Sequence, residues 1–296
     1  MRKYVLAVIL LAGLSGNQVV SAQAQTEGSL SRNDIGIIFM PHGADSSWNA
    51  AMDHALSPLR EHYTTVNAYS MADPRVVQAA ADKLETQGMK AAVVVRIFSL
   101  ASSFRAATEY MLGLSDVPPA YSMHGSHRIQ STLRFATTGG MEAHPLLAQV
   151  MAQRAQGLSI DPSTETVILV GHGAGSDADN DRWIRNLEQI GAAIVGADGQ
   201  DFRKVVVGTW REDWPEERDA AVADVRAKVA AASENGGTAI VIPVRTIGQG
   251  PEREYLDGFS FRLGQGFAPH PLFVRWVASE IEAGIAALLY PDNLTD

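Results

Sequence analysis

The chain has 296 residues, 46% hydrophobic and 19% charged, enough apolar material for two small domains or one large one. A formal charge of -9 gives it no global attraction to nucleic acid or anionic lipid. With no cysteine, disulfides, thiolate metal sites and cysteine nucleophiles are excluded, and His, Asp and Glu remain as metal ligands.

Residues 1–24 have the pattern of a secretory signal. Arg2 and Lys3 precede an apolar run from Tyr4 to Leu14 that is too short to anchor in a bilayer, and Ala22-Gln23-Ala24 supplies the small-x-small cleavage pattern. No later segment is apolar enough to cross a membrane. The expectation is a protein cleaved near Ala24 and exported, most simply to a bacterial periplasm.

The first strand is Ile35 to Met40, closing on Pro41-His42-Gly43. Asp45-Ser46-Ser47 then caps a helix through Trp48, Met52, Leu56 and Leu59. A strand through Val66 and Tyr69 leads to Asp73-Pro74, which opens a helix with Val77, Ala80 and Leu84 on one stripe and a stop at Gly88. Ala91 to Phe98, including Arg96, is the third strand. A helix follows over Arg105 to Leu114, then a polar stretch with His124 and His127 and a fourth strand near Leu133-Arg-Phe. His144-Pro145 opens a helix from Leu146 to Gln156.

After a linker over Leu158 to Thr166 the scheme recurs. Thr166 to Gly171 ends at His172-Gly173, and a helix carries Trp183, Leu187 and Ile190. A strand at Val205-Val-Val, a helix led by Asp213-Trp-Pro215, a strand from Ala239 to Arg245 and a helix opened by His270-Pro271 complete it. His-Gly steps at 42 and 172 and His-Pro-Leu steps at 144 and 270 keep the same order and nearly the same spacing, which marks an internal duplication. Strands alternating with helices imply βαβ units. The expected fold is α/β: two duplicated, doubly wound parallel-sheet lobes, residues 34–158 and 165–290, facing a central cleft, in a monomer with pseudo-twofold halves.

A strand ending in His-Gly-Ala, a four-strand half, a closing His-Pro-Leu helix and duplication of that half resemble the class II tetrapyrrole chelatases. The nearest resemblance is to the sirohydrochlorin cobaltochelatase (CbiX-like) branch, over roughly residues 34 to 290. It implies a lyase that inserts a divalent metal, cobalt or alternatively iron or nickel, into a modified tetrapyrrole held between the lobes, with no nucleotide. The strand-one His would be metal ligand and base, which falls on His42, with His172 as its counterpart. Metallation removes two pyrrole N–H protons, so a neutral imidazole that binds metal or accepts a proton suits it. Imidazole selects weakly among Co, Ni, Fe and Zn.

The sequence departs from that family in one respect. A second His shortly after the third strand is missing, since no His lies between His62 and His124 or between His172 and His270. His124 is a candidate replacement ligand, with His127 beside it; a solvated loop is the alternative for both. Arg96 and Arg245, each ending the third strand of its half, are candidates to hold tetrapyrrole carboxylates; a buried pair with Asp45 or Asp177 is the alternative. His144 and His270 read as helix caps, and His54 and His62 as surface residues. Glu142, Glu252 and Glu254 read as a solvated acidic set rather than acid-base partners.

A non-catalytic carrier of metal or tetrapyrrole is the competing function, favoured by the missing His and by export. A hydrolase is discounted, because Val-Gly-His-Gly-Ala-Gly has His172 where a nucleophile elbow needs Ser or Cys.

Overall fold

The computed structural model describes residues 30–195 and 201–291; the signal segment expected over 1–24 lies outside them. In the first half, strands β1 (Ile35–Pro41), β2 (Thr65–Asn67), β3 (Ala91–Ile97) and β4 (Arg134–Gly139) alternate with helices α1 (Ser46–Leu56), α2 (Pro74–Thr86), α3 (Arg105–Met111) and α4 (Pro145–Leu158). The second half holds β5 (Glu165–Gly171), α5 (Asp177–Val195), β6 (Lys204–Thr209), α6 (Pro215–Ala232), β7 (Thr238–Val244), α7 (Glu252–Tyr255), β8 (Phe261–Leu263) and α8 (Pro271–Leu289). Two four-stranded parallel sheets result, in the matching orders β2-β1-β3-β4 and β6-β5-β7-β8.

The apolar runs explain the centre of each sheet. Every residue of β1, β3 and β5 is buried, as expected of strands covered on both faces. Asp45 and Asp73 cap α1 and α2 through bonds from Trp48 N–H and Arg75 N–H, both 2.9 Å. His144 and His270 accept from Leu146 N–H and Leu272 N–H at 3.2 and 3.1 Å, the capping role read from the sequence. Tyr69 lies beyond the three-residue β2, and α7 and β8 are too short to leave a periodic signal.

The last helix of each half crosses to the other half. α8 packs on β3 and β4, and α4 packs on β7 and α5. Thr138 hydroxyl donates to Glu280 carbonyl at 3.1 Å, Gly139 N–H to the Glu280 carboxylate at 2.8 Å, and Tyr63 hydroxyl to Glu282 at 2.5 Å. In the opposite direction Arg154 donates to Pro269 carbonyl at 2.9 Å and Arg262 to Leu158 carbonyl at 2.7 Å. One apolar core therefore joins both sheets, from Ile37 and Val93 through Phe273, Trp276 and Ile281 to Leu169 and Ile242. Each such buried side chain contributes about 1.5–3 kcal/mol, so the crossing fixes one sheet against the other. The parallel order places the residues after β1 and β5, His42 and His172, at matching strand ends.

Candidate functional site

His42 leaves β1 into a turn that needs glycine. Gly43 has φ +78°, and a Cβ there would meet Tyr69 Cβ at 3.0 Å. The ring Nδ1 of His42 lies 2.6 Å from Gly43 carbonyl, an acceptor only, so Nδ1 donates and the neutral ring keeps its lone pair on Nε2. Asn49 accepts from Ala44 N–H at 3.1 Å, and Tyr69 hydroxyl donates to Asn49 carbonyl at 2.9 Å. Burial, then the charge of Asp53, push the Tyr69 phenol up to about 12, so it stays protonated.

A pocket of about 240 Å³ opens beside this turn, lined by His42, Tyr69, Asp73, Val76 and His124. Thus the structure brings His42 and His124 to one pocket, although 81 residues separate them in the chain. His124 Nδ1 lies 3.7 Å from an Asp73 carboxylate oxygen. The Asp73 carboxyl is held below the ordinary range, chiefly by the Arg75 guanidinium, which donates from Nη2 at 2.8 Å. Asp73 therefore offers a charged oxygen at neutral pH beside the His124 imidazole. His127, by contrast, is exposed, with its ring next to Gly125. Among the described residues no three His, Asp or Glu side chains are close enough to hold a metal as they stand.

The second lobe repeats the turn and fills the space. His172 Nδ1 lies 3.1 Å from Gly173 carbonyl, Gly173 has φ +85°, and Asn180 accepts from Ala174 N–H at 3.3 Å. Its Nε2, however, lies 3.3 Å from the Asp213 carboxylate, and the Trp214 ring stands edge-on at 5.7 Å. Trp214 packs against Gly175, and Arg211 donates to the carbonyls of Ala174 and Gly175 and, at 2.8 Å, to Asp177. What is open space beside His42 is occupied by Trp214 and Arg211 beside His172.

The two candidate arginines are engaged by the protein's own groups. Arg96 is only 4% exposed and donates to the carbonyls of Ala101 (2.8 Å), Ser103 (3.2 Å) and Gly139 (2.9 Å). It ties the β3 loop to β4, and its unpartnered Nε is buried inside the protein. Arg245 pairs with Glu212 and packs against Gly250. The expected partners serve elsewhere, Asp45 as the α1 cap and Asp177 with Arg211. Glu252, read as solvated, is fully buried and accepts from Trp210 Nε1 (3.2 Å) and Gly250 N–H (2.6 Å); Glu142 accepts from Ala101 N–H at 2.6 Å. His54, His62 and Glu254 are exposed, as read.

No protein-family model and no curated protein sequence matches the chain. Solved structures do. SirB from Bacillus subtilis with Fe3+ superposes with a TM-score of 0.63 at 13% identity, over 88% of this chain and 98% of that one. The sirohydrochlorin chelatase SirB from Bacillus subtilis subspecies spizizenii in complex with cobalt gives 0.58 at 13% identity, over 88% and 97%. DR2241 from Deinococcus radiodurans, described as similar to chelatases with two additional novel domains, gives 0.56 at 19% identity, over 83% of this chain and 54% of its own.

The chain has the chelatase fold.

Within that fold, sequence reasoning missed Asp73, Tyr69, Asn49 and Asn180. The two asparagines carried a legible signal, since each stands seven or eight residues after its His-Gly step. Asp73 was recognised only as a helix cap, and nothing in the sequence brings it to His124.

Proposed function

We propose that this protein is an exported metal chelatase that inserts a divalent cation, with cobalt as the leading candidate, into a sirohydrochlorin-type tetrapyrrole. The observation that carries the reading is the sharing of one open pocket at the strand ends by His42, His124 and Asp73. Two imidazoles and one carboxylate are a donor set for Co, Ni, Fe or Zn. His42 holds the cation through Nε2 and, once the cation has passed to the macrocycle, the freed Nε2 lone pair accepts one of the two pyrrole protons, while bulk water takes the other. The first lobe does this work, because Trp214 and Arg211 fill the matching space in the second. Known chelatase-fold structures that carry Fe3+ or cobalt support a metal substrate. The signal pattern over 1–24 supports a periplasmic location.

A second reading is a periplasmic carrier that binds metal or tetrapyrrole without joining them. The want of three converged His, Asp or Glu ligands among the described residues favours it. Mixing the purified mature protein with sirohydrochlorin and Co(II) and following absorbance separates the two. Catalysed metallation above the protein-free rate is expected; binding of both ligands with no acceleration would establish the carrier.

A further inference from the structure

A long loop with several exposed apolar side chains adjoins the pocket. Between Leu112 and Leu133 it carries Leu114, Val117, Tyr121 and Met123 at 45, 73, 72 and 50% exposure. Elsewhere such exposed apolar side chains stand singly, as at Ile160 and Tyr290. The two ends of the loop are tied. Arg128 donates to Asp116 (2.5 Å) and Ser115 carbonyl (3.1 Å) and lies over the Tyr110 ring at 5.3 Å. Ile129 N–H bonds Met111 carbonyl at 3.0 Å, Gln130 N–H bonds Gln78 at 2.7 Å and Thr132 N–H bonds Glu85 at 2.6 Å. Near the tip, Ser122 hydroxyl donates to Gly125 carbonyl at 2.7 Å, turning the chain so that His124 enters the pocket. Anchored in this way, the loop holds an aromatic ring and a thioether in water within three residues of a pocket imidazole. Three residues reach at most roughly 11 Å, so the backbone of Tyr121 and of Met123 lies within that distance of the pocket residue His124.

A cation completes the rim. The Arg75 side chain is 77% exposed beside the pocket residues Asp73 and Val76. Asp73 engages its Nε and Nη2, which leaves Nη1 donors for a ligand. On a chain of net charge -9, such a local guanidinium is what a polyanionic ligand must meet.

We propose that Tyr121, Met123 and Arg75 form the docking rim for a flat, carboxylate-fringed macrocycle. Tyr121 and Met123 lie against its apolar face and Arg75 binds a peripheral carboxylate, which sets the ring centre over the His42–His124 pocket. The inference rests on the chelatase reading and adds the residues that position its substrate. It also replaces Arg96 and Arg245 in that role.

The test uses metal-free sirohydrochlorin, titrated by fluorescence quenching, and Co(II) titrated separately by calorimetry. A Tyr121→Ser/Met123→Ser double variant should bind sirohydrochlorin at least about tenfold more weakly, as loss of two ring contacts predicts, with Co(II) affinity unchanged. Tyr121→Phe should retain binding. Arg75→Gln should weaken it several-fold and flatten its salt dependence. Circular dichroism checks that each variant is folded. Wild-type affinity in the double variant overturns the proposal. So does a wild-type dimer that the double variant dissolves without change in sirohydrochlorin binding, since the loop would then be a contact between copies. A wild type that metallates sirohydrochlorin while the double variant keeps its KM overturns the rim alone. A wild type that neither binds nor metallates it overturns the chelatase reading as well.

Discussion

His172 Nε2 lies 3.3 Å from the Asp213 carboxylate, whereas its counterpart His42 borders an open pocket shared with His124. Duplicated turns have thus been put to different use. Under the proposed function, replacing His42 with Ala removes both a metal ligand and the later proton acceptor, so Co(II) affinity and metallation should fall at least tenfold, about 1.4 kcal/mol. His172→Ala should change both by less than threefold, because Trp214 and Arg211 already fill its surroundings. Calorimetric Co(II) titration of the two variants reads the difference, and equal losses would mean that the lobes contribute ligands jointly.

Arg96→Ala should act on stability and not on substrate. The substitution leaves the half-buried carbonyls of Ala101, Ser103 and Gly139 without their donor and opens a gap where the buried side chain stood, at about 1–3 kcal/mol in all. The urea midpoint should drop clearly, while sirohydrochlorin affinity per folded molecule stays within twofold. A stable variant with weakened binding would return Arg96 to the substrate.

That residue also marks where the sequence stops being informative. Strand runs, His-Gly and His-Pro steps and Asp caps are local, and the two parallel sheets and the caps at Asp45, Asp73, His144 and His270 are legible from them. Whether the side chain of a strand-end arginine turns outward or back toward loop carbonyls is decided by tertiary packing, which no local pattern records. For the same reason Glu252 looked solvated among acidic neighbours, although Trp210 Nε1 and Gly250 N–H satisfy it inside the protein. His124 belongs to a long loop without periodicity, so its arrival beside His42 could be named only as one alternative. The helix crossing was hidden too, because an apolar stripe says that a face is covered and not by which sheet.

Acid should weaken the fold through Glu165. Burial alone would raise this carboxyl, but the Ser159 hydroxyl, the Asp161 and Ile160 amides and the Arg262 guanidinium outweigh it and bring the pKa to about 2, from an ordinary 4.5. A depressed folded-state value means that the charged form stabilises the fold above the ordinary pKa, and that this contribution disappears as pH falls from about 4.5 to about 2. Glu165→Gln should therefore be less stable at pH 7 and should lose less on acidification across that window. Parallel pH profiles for variant and wild type would refute the assignment.

Export is tested on its own. Residues 1–30 fused to a reporter in a bacterial host should send it to the periplasm with cleavage near Ala24. A reporter kept in the cytoplasm would remove the periplasmic reading and leave the pocket chemistry untouched.

The crossing of α8 onto the first sheet gives a prediction with a change of sign. A Cβ at Gly284 would run into the Cγ atoms of Val93 on β3, so the helix approaches the sheet as closely as it does because that position has no side chain. Gly284→Ala should destabilise by about 1–3 kcal/mol through overpacking, even though alanine is the better helix former by about 1 kcal/mol. Val93→Ala deletes the atoms the new methyl would strike. In that background the clash is relieved and the helix preference remains, so Gly284→Ala should become neutral or stabilising. Chemical denaturation of the four proteins in this double-mutant cycle measures the coupling, expected between about 1 and 3 kcal/mol. Additive effects would show that α8 does not rest on β3 and that the halves do not exchange their closing helices.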